Sequence, residues 1–86
     1  MKRNNVILHL KQNDCEYHKT IGQRSFYRNK RKKNRVVGID QREDCDDAYV
    51  YWICKTLLID QPEEITKVAQ DMDAFNDGAE REFKKA

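Results

Sequence analysis

The sequence predicts an α+β domain, with a small antiparallel sheet of three to four strands from the N-terminal half packed against two helices from the C-terminal half. Three observations predict it: apolar and polar residues alternate in short runs up to Asp40, the links between those runs are short, and after Asp44 the apolar spacing changes to three and four. Short hairpins followed by helices pack as two layers. The 86 residues fit one domain, 1–86, and a chain of that size buries only about 60 to 65% of its unfolded surface. Its core is therefore small.

Residues 5–12 place Val6, Leu8 and Leu10 on one side of a period-two pattern and Ile7, His9 and Lys11 on the other, which predicts a first strand. Asn13-Asp14 then reads as a turn. In residues 16–21, Tyr17, Lys19 and Ile21 alternate with His18 and Thr20, so the first two runs form a hairpin in this reading. Gly22-Gln23 breaks the pattern. Ser25-Phe26-Tyr27 continues as a third strand, and residues 35–40, with Val36, Val37 and Ile39, form a further one. Between them, residues 28–34 are all cations and amides, the composition of a solvated basic loop or hairpin tip.

Acids at Asp44, Asp46 and Asp47 suit the positive end of a helix, and residues 48–59 follow with Val50, Ile53, Cys54, Leu57 and Leu58 on one face. Tyr51, Trp52 and Ile59 make its other sides apolar as well. A helix apolar nearly all round is either central in the domain or shared with another chain. Pro62, Glu63 and Glu64 mark the start of a second helix. Its apolar stripe is Ile65, Val68, Ala69, Met72, Phe75, Ala79 and Phe83, and Asn76-Asp77-Gly78 is expected to end it early.

Charge is sorted along the chain. Residues 1–41 hold eleven Lys and Arg against three acids, whereas residues 42–86 hold six against twelve, so the net charge of +2 hides a basic half and an acidic half. The densest cations are Arg24, Arg28, Lys30, Arg31, Lys32, Lys33 and Arg35, with Phe26 and Tyr27 among them. Closely spaced cations release counterions from a phosphate backbone, and aromatic rings stack on unpaired bases, so these nine residues are the candidate contacts for RNA or single-stranded DNA. No predicted helix carries the positive charge into a duplex groove. The acids Asp71, Asp73, Asp77, Glu80 and Glu82 are read as the wet side of the second helix.

The run Arg35-Val-Val-Gly-Ile-Asp40 resembles the first strand of RNase H and RuvC-like nucleases, in which an apolar strand containing Gly ends in a metal-binding Asp. The resemblance covers six residues. It implies a hard-cation site at Asp40 with Glu43, Asp44, Asp46 and Asp47, but Gln41-Arg42 stand where that family usually has Gly, and the acids at a helix start are read as caps. Cys15, His18, Cys45 and Cys54 do not show the two close pairs of structural zinc, and Cys54 falls on an apolar helix face. No metal, cofactor or catalytic set is expected.

Three cysteines, an odd number, with no signal-like apolar start, predict free thiols in a reducing compartment, hence a cytoplasmic protein. The longest nearly apolar run is far shorter than a membrane span of about 20 residues. The functional expectation is a non-catalytic protein that places the basic loop on RNA or DNA. The alternative is a small protein-binding inhibitor or adaptor, of the accessory type found in mobile elements and viruses, acting on a nucleic-acid enzyme through its charged surfaces. In either case Tyr49, Tyr51 and Trp52 are candidates for contact with a protein partner or a second copy.

Overall fold

The computed structural model describes the backbone of residues 1–85 and the side chains through Phe75. The chain runs α1 (Arg3–Gln12), β1 (Cys15–Ile21), β2 (Arg24–Asn29), β3 (Val36–Asp40), α2 (Asp47–Leu57), a 3-10 turn (Glu63–Ile65) and α3 (Thr66–Lys85). The three strands form one antiparallel sheet in the order β1-β2-β3. This is the small α+β arrangement expected, with one added helix.

That helix corrects the first predicted strand. The run Val6-Ile7-Leu8-His9-Leu10 satisfies a period of two and a helical spacing equally, because Val6 and Leu10 lie four apart. Packing decides in favour of the helix: Val6 and Leu10 are buried against the core, whereas Leu8, in the same predicted strand face, is 53% exposed. The start of α1 is tied to the segment before α2, since Arg3 N–H donates to the Glu43 carbonyl at 2.8 Å and Cys45 N–H to the Met1 carbonyl at 2.8 Å. Asn13-Asp14 therefore links α1 to β1, with Asp14 in the left-handed region at φ 63°.

The β1-β2 hairpin turns instead at Gly22-Gln23, between paired Ile21 and Arg24. Gly22 has φ 59°, a left-handed conformation that a hairpin turn can demand and that only Gly adopts without strain. Pairing of β2 with β3 sets Ser25 opposite Ile39 and Tyr27 opposite Val37. Alternation then gives the sheet two unlike faces. Ser25, Tyr27, Asn29 and Ile39 are buried beneath the helices, whereas Arg24, Phe26 and Arg28 lie on the other face.

Helix α2 supplies most of the core, through Val50, Tyr51, Ile53, Cys54 and Leu57. Asp46 caps it by accepting from Tyr49 N–H at 2.8 Å. It ends at Leu58, whose φ of 58° and ψ of 45° lie in the left-handed region usually given to Gly. Helix α3 continues through Asn76-Asp77-Gly78 to Lys85, contrary to the early end expected there. The predicted stripe residues Ala79 and Phe83, and the acids Asp77, Glu80 and Glu82, lie outside the described side chains. Among the described residues, no helix is long and apolar enough to cross a membrane.

Candidate nucleic-acid interface

The basic loop joins β2 to β3, and its shape depends on a residue that the charge pattern does not single out. Asn29, the last residue of β2, is buried. Its amide donates to the Leu57 carbonyl at the end of α2 at 2.7 Å. Its side-chain oxygen accepts from the backbone N–H groups of Arg31 at 2.9 Å and Lys32 at 3.2 Å. A short Asx-type turn is thus pinned to the helix layer from inside. Backbone bonds close the rest: Lys30 N–H to the Asp14 carbonyl at 2.9 Å, Arg35 N–H to the Lys32 carbonyl at 2.8 Å and Asn29 N–H to the Arg35 carbonyl at 3.1 Å. The loop is solvated yet held.

The candidate cations, Arg24 and Arg28 on β2 and the rest in the loop, fall into two groups. Arg31 pairs with Asp14 at 3.1 Å, Arg28 with Glu16 at 2.8 Å, and Arg24 with Asp40 at 2.8 Å. Lys30, Lys32, Lys33 and Arg35 are exposed and meet no carboxylate within ion-pair distance among the described residues. Their field still reaches the sheet. The Glu16 carboxyl is held below its ordinary range chiefly by the Arg28 hydrogen bond, with further lowering by Lys30 and Lys33.

The two aromatic candidates separate. Tyr27 is 6% exposed and meets Tyr17 edge-on at 5.9 Å, so it is a sheet residue unable to offer its face to a base. Phe26 is half-buried on the solvent-facing side of the sheet, between Arg24 and Arg28 on the same strand face. The stacking expectation rests on Phe26 alone.

The candidate protein-contact residues separate as well. Tyr51 is fully buried; its hydroxyl donates to Asp73 at 2.5 Å, which removes it from any contact surface. Tyr49 is half-buried, its hydroxyl accepting from Asp40 N–H at 2.9 Å beneath the Arg42 guanidinium. Trp52 is 52% exposed and, with Val68, Met72 and Phe75, lines an apolar cleft of about 300 Å³ between α2 and α3, with Asp71 at its edge.

Asp40 does not stand as a free metal-binding carboxylate. Arg24 and then Arg42 donate to it, and both hold its carboxyl below the ordinary range. Asp44 pairs with Lys2 at 2.9 Å, and Asp46 serves as the cap of α2. Among the described residues, no group of three or more His, Cys, Asp or Glu side chains is placed to hold a metal ion. Cys15, Cys45 and Cys54 are free and buried, and burial pushes the Cys54 thiol up to about 12. Comparison with protein-family models, curated proteins and solved structures gave no match to this chain.

Proposed function

We propose that this protein is a small, non-catalytic nucleic-acid-binding protein that sets its basic loop on the phosphate backbone of RNA or DNA. The observation that carries the reading is the combination in one loop of four cations without acidic partners among the described residues and a backbone fixed by a buried asparagine. Fixed cations lose little conformational freedom on binding, and each phosphate they meet releases condensed counterions. Fluorescence anisotropy with labelled oligonucleotides tests it. Binding at low salt that is lost when Lys30, Lys32, Lys33 and Arg35 are all changed to Gln supports the reading, and absence of binding by the intact protein rejects it.

One observation favours a second reading, a protein-binding inhibitor or adaptor. Trp52 leaves half its surface in solvent on an apolar cleft, and exposed Trp is a residue type that anchors interfaces. A stoichiometric protein partner that survives nuclease treatment and is lost with Trp52→Ala would support it.

A further inference from the structure

We infer that the solvent-facing side of the sheet is a stacking platform for single-stranded nucleic acid, with Phe26 as the ring that receives a base; this rests on the proposed role of the basic loop. The first observation is the placement of Phe26 over Gly38. Across the β2-β3 pairing the two residues are partners, and a methyl group at Gly38 would lie 3.0 Å from Phe26 Cε1 and 3.1 Å from Cζ. The ring therefore occupies the space that a side chain on β3 would fill. Arg24 leans over the same glycine, its Cδ 3.4 Å from that position. Gly38 is a positioning residue: it lets the ring settle across two strands instead of standing up from one.

The second observation is charge on both sides of the ring. Arg24 and Arg28 flank Phe26 two residues away in each direction, and Lys19 is paired opposite it on β1. Glu16 and Asp40 lie on this face too, but each is bonded to an arginine and leaves further guanidinium N–H groups unused. Continuity with the loop is the third. A strand advances about 3.3 Å per residue, so Phe26 sits about 10 Å from Asn29, where the four unpaired cations begin.

A strand of nucleic acid whose phosphates follow the loop can therefore bring an unpaired base onto Phe26 and pass on toward Arg24 and Arg42. A duplex cannot, because its bases face one another and only its backbone would touch the sheet. The loop alone would hold either form. The platform adds a preference for single strands.

The test uses oligonucleotides of about 12 units, near the site sizes of single-strand binders: oligouridine, oligothymidine and a duplex of the same length, all at one salt concentration. Phe26→Leu keeps an apolar cover over Gly38 but removes the aromatic face. It is expected to weaken both single strands by about 5-fold or more, the low end for one stacked base, while duplex affinity changes by less than about 2-fold, and Phe26→Tyr is expected to retain wild-type binding. Loss on oligouridine alone would still support the platform and identify RNA as its ligand. Equal losses on single strands and duplex, or none, overturn it; if the four loop substitutions abolish binding in that same experiment, the loop reading stands without the platform. No binding of any probe by the intact protein overturns both.

Discussion

The basic loop and the α2-α3 cleft are both exposed, but for opposite physical reasons. In the loop, charged side chains face water at no desolvation cost, and the structural effort goes into the backbone through buried Asn29. In the cleft the backbone is ordinary helix, and the unusual feature is apolar surface at Trp52 and Phe75 left in solvent. The first arrangement is stable alone and suits a polyanion. The second gains free energy only when something covers it. Charge at the loop and fold stability are therefore separable, whereas the neighbours on α2 divide sharply between core and surface.

That division makes the largest expected effect. Tyr51→Ala removes a fully buried ring and should cost about 3 to 5 kcal/mol, enough to unfold a marginal domain, while Trp52→Ala one position along should cost below about 1 kcal/mol. Urea unfolding measures both, and Tyr51→Phe, which keeps the buried ring but loses the hydroxyl that bonds Asp73, gives a milder loss of about 1 kcal/mol if the alanine variant fails to fold. A Trp52 cost equal to that of Tyr51 would place the cleft inside the core and end the comparison.

The next effect sharpens the contrast within the loop. Asn29→Ala leaves the Leu57 carbonyl without its donor and should destabilise by about 2 to 3 kcal/mol, whereas the fourfold Gln variant of Lys30, Lys32, Lys33 and Arg35 should stay within about 0.5 kcal/mol of wild type. Both are read from urea midpoints. A large loss in the fourfold variant would mean that those cations hold the fold.

A smaller effect concerns pH. Burial raises the Cys54 thiol from 9.0 to about 12, and the Cys15 and Cys45 thiols are also raised by burial. A group whose folded value is raised contributes stability that is fully present below its unfolded value and lost as pH rises toward the folded one. The urea midpoint should therefore fall progressively above pH 9, and Cys54→Ala should reduce that fall even though it lowers stability at neutral pH. An equal fall in the variant would assign the alkaline loss to other groups.

Much of the sheet was legible in the sequence because Phe26-Tyr27 and Val36-Val37 with Ile39 are aromatic or β-branched residues in short runs between polar ones, a pattern that favours strands. Residues 5–12 allowed two. A five-residue apolar run fits a strand and a helix alike, and what decides is the packing of Val6 and Leu10, a tertiary fact. Gly22-Gln23 was visible as a break but not as a hairpin turn once the first strand was misplaced. The end of α2 carries no glycine signal, because Leu58 takes the left-handed position itself.

The candidate site divides in the same way. Cation density marks the loop directly, but which cations are paired depends on Asp14, Glu16 and Asp40 arriving from other elements. Asn29 carried one local signal, an Asn immediately before a turn-forming segment. Tyr51 and Trp52 carried a signal in the helical period, since the face of Val50, Ile53, Cys54, Leu57 and Leu58 has Tyr51 at its flank and Trp52 nearly opposite.

Phosphate contact by the four loop cations that lack a carboxylate partner among the described residues is what nucleic-acid binding by this loop requires. The most direct measurement is the slope of log affinity against log salt for one labelled oligonucleotide, with wild type and the fourfold Gln variant compared. Each phosphate contact contributes about 0.7 to 0.9 to that slope. The variant slope is expected to be flatter by about 3, with folding unchanged by circular dichroism. Equal slopes for the two proteins would contradict it.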